Sequence, residues 1–188
     1  MNIELVENAF IQHETAFRET SLRLKEAILE GCQMVLETIA GGNTVFFCGN
    51  GGSAADAQHL AAEFTGRYSK EREGLPAIAL TTDTSALTAI GNDYGYDKVF
   101  ARQLEALGKK DDLLIAISTS GNSSSVIEAI KKAKDRKLKV LGLSGKGGGA
   151  MMNLCDHNIV IPSATTANIQ EMHIMIGHIF CAALDASY

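Results

Sequence analysis

Leu113-Leu114-Ile115-Ala116-Ile117-Ser118-Thr119-Ser120-Gly121-Asn122-Ser123-Ser124-Ser125 is the stretch on which the fold turns. An apolar run, Leu113 to Ile117, stops at Ser118. Six hydroxyl side chains and one glycine follow within eight residues, and Val126, Ile127, Ala129, Ile130 and Ala133 then recur at helical spacing. The pattern predicts a buried strand that delivers a hydroxyl-rich turn to the start of a helix. Free backbone N–H groups and the helix dipole favour an anion there. No lysine or arginine lies between Leu113 and Ile130, so hydroxyls and amides would hold the anion. The plainer reading is a serine-rich N-cap. A cap needs one such residue, and this turn offers six.

A second turn of the same kind lies upstream. Thr44-Val45-Phe46-Phe47-Cys48 reads as a strand, Gly49-Asn50-Gly51-Gly52-Ser53 breaks it, and a helix opens at Ala54. Two such turns predict one ligand pocket at the carboxyl edge of a parallel sheet.

Working outward, apolar runs alternate with helical patterns. Candidate strands are 45–48, 77–81, 113–118, 140–143 and 158–162. Candidate helices are 54–66, 85–91, 98–107, 126–137 and 150–154. This rhythm predicts an α/β layered fold on a parallel sheet. Short unbroken runs such as Leu113–Ile117 suit strands buried on both faces. In residues 1–40, Val6, Phe10, Phe17, Leu24, Ile28, Val35 and Ile39 recur at helical spacing. They predict one or two long amphipathic helices ahead of the sheet. Residues 166–187 read as another long helix.

A length of 188 residues suits a single domain, with 1–40 as a helical assembly segment and 41–188 as the core. With 46% hydrophobic and 21% charged residues, the composition is that of an ordinary globular protein. A net charge of −5 without a basic run argues against nucleic acid. No basic-then-apolar leader and no membrane-length apolar run is visible, so the expected location is cytoplasmic, with no membrane contact. Cys32, Cys48, Cys155 and Cys181 lie far apart among apolar neighbours and read as reduced, structural thiols.

Four constellations bear on chemistry. Gly49-x-Gly51-x-x-Ala54 fits the dinucleotide fingerprint loosely. Its acidic partner would be Asp83, about 30 residues on rather than ~20, so the fit is poor. Leu143-Ser144-Gly145-Lys146-Gly147-Gly148-Gly149 resembles a P-loop only in its glycines. The lysine is not followed by Ser or Thr, which rejects a Walker A reading and leaves a flexible turn. His59 and Glu63 stand one helical turn apart on one face, with Asp56 extending the stripe. They make either a solvated face or half a site for a borderline metal such as zinc. Gln170, Glu171, His173 and His178 interrupt an otherwise apolar helix. Gln170 and His178 are about 80° apart around an ideal helix, which predicts that both reach one site.

Taken together, these residues resemble a family. Cys48-Gly49-Asn50-Gly51-Gly52-Ser53-Ala54-Ala55-Asp56-Ala57-Gln58-His59, Glu63 and Gly66-Arg67-Tyr68 are similar to the sedoheptulose 7-phosphate (phosphoheptose) isomerases of the sugar-isomerase (SIS) fold. So are 79–85, Gly91-Asn92-Asp93-Tyr94-Gly95, the 118–123 turn, Ile169-Gln170-Glu171-Met172-His173 and His178. One departure stands out: the family pattern has an arginine where this chain has Asn168. That puts a contact at this position in question, but not the metal set.

The resemblance implies a three-layer α/β/α sandwich with a five-stranded parallel sheet, assembled as a homotetramer. It implies zinc held by His59, Glu63, Gln170 and His178. It implies substrate contacts from Asn50, Gly51, Gly52, Glu63, Asn92, Asp93, Ser118, Thr119, Ser120, Ser123 and Gln170. The substrate would be a phosphorylated seven-carbon sugar. The reaction would interconvert sedoheptulose 7-phosphate and D-glycero-D-manno-heptose 7-phosphate, the first step toward ADP- or GDP-heptose for lipopolysaccharide or other bacterial surface polysaccharide.

Aldose–ketose exchange through an enediol needs a base, an acid and stabilised charge on oxygen. Glu63 is the candidate base and His178 the candidate acid. A carboxylate that ligates zinc is a poorer base, so Glu63 carries two roles in tension. Two alternatives stay open: a non-catalytic tetrameric regulator of the same fold that binds a protein partner, and an isomerase of another phosphosugar.

Overall fold

The computed structural model describes residues 2–188. Two helices lead, α1 (Ile3–Arg23) and α2 (Lys25–Ala40). Then follow β1 (Val45–Cys48), α3 (Gly52–Thr65), β2 (Ala77–Ala79), α4 (Thr84–Tyr94), α5 (Val99–Leu107) and β3 (Leu113–Ser118). The chain closes with α6 (Ser124–Asp135), β4 (Lys139–Gly145), β5 (His157–Ile161) and α7 (Thr166–Ser187). Short 3-10 helices fill Tyr96–Lys98 and Gly149–Asn153; the second stands where an α-helix over 150–154 was expected. With glycines at positive φ on its N-terminal side, that segment is a tight turn.

All five strands are parallel, in the order β2-β1-β3-β4-β5. Side chains alternate between two cores as the pleat requires. Phe47, Leu113, Ile115, Ile117, Leu141 and Ile159 face the layer of α2, α3 and α7. Phe46, Cys48, Leu114, Ala116 and Val140 face α5 and α6. Both faces are covered, which is why β1 and β3 carry unbroken apolar runs.

The chain runs from β1 outward to β2 and then crosses to β3 on the other side of β1. The carboxyl ends of β1 and β3 therefore flank a topological switch point, where ligands of open α/β sheets bind. Both polar turns read from the sequence leave from this edge. Asp112, buried before β3, accepts hydrogen bonds from Thr44 N and Lys109 N and fixes the opposite ends of the same two strands.

The apolar stripe of residues 1–40 divides at Leu24. On α2, Ile28, Val35 and Ile39 are buried in the core. On α1, Val6, Phe10 and Phe17 are exposed, and Phe10 keeps 71% of its surface open. Only Ala16 and Thr20 of α1 are buried. A bond between His13 Nδ1 and Glu171 Oε2, 2.8 Å, ties α1 to α7.

All four cysteines are free, and Cys32, Cys48 and Cys181 are buried. Burial pushes the Cys48, Cys155 and Cys181 thiols up to about 12, so they are inert as nucleophiles. No helix among the described residues is long and apolar enough to cross a membrane.

Candidate active site

The β3–α6 turn is built from its own hydroxyls. Ser118 Oγ lies 2.9 Å from Ser123 Oγ and 3.5 Å from Ser120 Oγ. Ser120 Oγ accepts from Asn122 N, and Thr119 is half-buried on the same turn. Ser123 is the N-cap residue of α6, yet its hydroxyl makes no cap bond because Ser118 engages it. The first amides of α6 are left open to a ligand. Gly121 has φ 66°, and a Cβ there would meet Gly148 O at 2.0 Å, so only glycine fits.

The β1–α3 turn joins the same edge. Asn50 Nδ2 donates to Ser125 Oγ, 2.9 Å, on the first turn of α6. Asn50 Oδ1 accepts from the Tyr96 hydroxyl, 2.9 Å. Gly51 adopts φ 57° before α3. The Gln170 amide packs on Gly52 so closely that a Cβ would come within 1.7 Å of its Nε2. Beside it, Asp56, Gln170 and Glu171 help to line a shallow groove of about 300 Å³. Asp56 is buried and its Oδ2 has no partner. Burial lifts its carboxyl to about 6, against the pull of His59. Asn92 and Asp93, at the end of α4, are exposed and hydrogen-bond each other, 2.8 Å, and no other candidate residue.

A third cluster forms where α3 and α7 pack side by side, running parallel. His59 Nε2 stands 2.8 Å from His178 Nε2, and 3.7 Å from Glu63 Oε1. Gly177, next to His178, lets Leu60 pack against the α7 backbone; a Cβ would meet Leu60 at 2.5 Å. Tyr68 stacks on His178 with ring centroids 5.5 Å apart and planes 26° from parallel. Two imidazoles and a carboxylate can pass protons or hold a borderline metal.

As they stand, the two nitrogens are at hydrogen-bond distance, and no group of three His, Cys, Asp or Glu side chains among the described residues is spaced for a metal. Tetrahedral zinc sets two nitrogens about 3.3 Å apart. A rotamer adjustment of about half an ångström therefore separates the hydrogen-bonded pair from a ligand pair.

Gln170 does not join this cluster within one chain. It precedes His178 by eight residues, about 12 Å along α7, and its amide rests at Gly52, two turns before His59 on α3. The expectation of convergence is corrected here: angle around the helix brought the pair together, and rise along it parts them. His173, also on α7, is a core residue. Its Nε2 pairs with Ser144 O at 3.0 Å, its Nδ1 has no partner, and burial lowers it to about 4.

Tyr68, Tyr96, Ser125 and the pair Arg72–Asp185 were not singled out as site residues. Ser125 carries a signal as part of the serine run, and Tyr68 as part of the family-like Gly66-Arg67-Tyr68. The others act through contacts between segments far apart in the chain.

The SIS domain family matches residues 10–145. Phosphoheptose isomerase of Campylobacter concisus is 58% identical over 98% of this chain and 97% of its own. The solved phosphoheptose isomerase of Neisseria gonorrhoeae superposes with a TM-score of 0.93 at 45% identity, covering 97% of this chain and 98% of that one. That of Francisella tularensis gives 0.96 at 38% identity, covering 99% and 100%.

Proposed function

The chain belongs to the phosphoheptose isomerases of the SIS-domain family, and from that membership we propose that it interconverts sedoheptulose 7-phosphate and D-glycero-D-manno-heptose 7-phosphate. One observation carries the reading to particular atoms: His59, Glu63 and His178 converge from α3 and α7. The exchange moves one proton between adjacent carbons through an enediol. Glu63 takes the carbon-bound proton as base. His178, held flat by Tyr68 and edge-on by His59, hands a proton to the oxygen that gains one. The serine turn holds the phosphate, supported by its clustered hydroxyls and the open α6 amides. Asn50, Gly51, Gly52, Asn92, Asp93, Thr119 and Gln170 complete the sugar contacts.

The donor set suits zinc, and we assign zinc to His59, Glu63 and His178, one ion per chain, with Glu63 and His178 moving protons only through atoms not engaged by the metal at that step. When bound, zinc polarises the sugar's carbonyl and hydroxyl oxygens. Gln170, the fourth residue of the set, comes from a neighbouring subunit, since its own chain keeps it two turns away. The exposed apolar side of α1 supports a homotetramer. A cytoplasmic enzyme that supplies heptose for surface polysaccharide is consistent with this reading.

The test is consumption of sedoheptulose 7-phosphate by the purified protein, with and without a chelator. Turnover that a chelator abolishes and zinc restores is expected. Failure to consume this sugar, with turnover of a different phosphosugar, overturns the substrate assignment.

A further inference from the structure

Arg72 and Asp185 form an ion pair that is almost sealed from water, their side chains 2% and 7% exposed. Such a pair is weak evidence for stability, because desolvation offsets most of the attraction. Its location is also unfavourable for a carboxylate: Asp185 sits in the last turn of α7, where the helix dipole repels negative charge. Burial alone would raise this carboxyl, but the backbone amides of Lys70 and Ser69 and the Arg72 guanidinium hold it far below the usual carboxylate range. Asp185 Oδ2 accepts from Ser69 N at 2.7 Å, Ser69 Oγ at 2.9 Å and Lys70 N at 2.8 Å, while Oδ1 accepts from Arg72 Nε at 2.9 Å.

What the pair grips explains its place. Arg72 donates Nη2 to Glu63 O at 2.9 Å and Nη1 to Phe64 O at 3.0 Å. These are carbonyls of the last turn of α3, which the helix itself cannot satisfy. Asp185 lies two turns beyond His178 on the same side of α7. Between the two grips runs Tyr68, next to Ser69, with its ring on His178. Tyr68 is 37% exposed, and the backbone beside it, held at Ser69 N by Asp185, sets where the ring lies.

We propose that Asp185 and Arg72 are a positioning latch for the acid–base pair: they clamp Ser69 and the end of α3 so that Tyr68 stays flat against His178 and Glu63 keeps its place. The proposal rests on the roles given above to Glu63 and His178. The latch touches neither sugar nor reacting atom.

The experiment compares Asp185→Asn, Asp185→Glu and Tyr68→Leu with the unaltered chain at equal zinc loading. It reads the ring-proton chemical shifts of His178, kcat and KM, and the melting curve. A stacked tyrosine shields those protons. Tyr68→Leu is expected to move the His178 resonances downfield, Asp185→Asn to move them the same way, and Asp185→Glu to recover most of the change. In Asp185→Asn, kcat should fall about ten- to a hundredfold, the scale of a small misplacement, with KM within about twofold. Unmoved His178 resonances in Asp185→Asn, or a change in KM alone, overturn the latch. If Asp185→Asn does not fold, Ser69→Ala removes one of the grips on the surface side and is held to the same outcomes. The chemical-shift arm needs no substrate, so an inactive but correctly stacked chain would sink the catalytic reading and leave the latch standing.

Discussion

At the scale of single residues, Glu63 and His178 differ from their neighbours in what they can do with a proton. Glu63→Gln keeps the shape and removes the proposed base; His178→Gln removes the proposed acid. Each is expected to lower kcat by at least ~10²-fold with the fold intact, measured by steady-state turnover and melting. Near-normal turnover in either would take that residue out of the mechanism. His59 and Glu63 were legible in the sequence because a four-residue spacing on a helix is a local fact. Spacing misplaces Gln170 for a local reason too. Angle around a helix is easily read from spacing, but eight residues of rise put its amide at Gly52 instead. Asp185 could not be found this way, since its partners lie 113–116 positions upstream.

At the scale of elements, the β3–α6 turn, the proposed phosphate site, ties binding to capping through the Ser118–Ser123 contact. Ser118→Ala with Ser120→Ala removes two hydroxyls, each worth roughly 0.5–1.5 kcal/mol to a bound group. The expected result is a rise in KM of about tenfold with zinc content unchanged. Thermal stability should hold, because Ser123, released from Ser118, is free to cap α6. An unchanged KM would move the phosphate elsewhere.

Helix α7 makes a second prediction through His173. Its folded value, about 4, lies below the unfolded ~6.5. Between those values the unfolded chain takes up a proton that the folded chain refuses. Stability attributable to this group is therefore full above about 6.5 and falls as pH drops toward 4, by about 3 kcal/mol at most. Denaturant melts across that window should show the fall, and His173→Met should flatten it. An equally steep fall in the variant would assign the acid sensitivity to other groups.

At the scale of the whole molecule, the question is what covers α1. Its exposed Phe10 and Phe17 contribute nothing to the chain's own core. Phe10→Glu with Phe17→Glu is expected to turn the proposed tetramer into smaller, folded species in light scattering. Activity should fall as well, since in the proposed tetramer Gln170 completes a neighbouring zinc set. A monomer from the unaltered chain at micromolar concentration would end this account. The 3.6-residue period runs unchanged through residues 1–40, so it could not say that α2 faces the sheet while α1 faces out. The strands themselves were legible to within two residues at each end, because burial on both faces leaves unbroken apolar runs. Their order was not, because adjacency in a parallel sheet is decided by which face each crossover helix covers.

The glycines of 147–149 supply a last consequence. All three have positive φ, and a Cβ on Gly149 would strike Asn122, just as one on Gly121 would strike the carbonyl of Gly148. The loop that failed as a nucleotide cradle is thus the mould against which the serine turn is cast. Inherited changes at Gly148 or Gly149 would register as poorer sugar phosphate affinity, although neither glycine is expected to touch the sugar. A lineage drifting toward a new substrate has little freedom here: it can rewrite the hydroxyls of the turn, but the mould that shapes them admits almost no other residue.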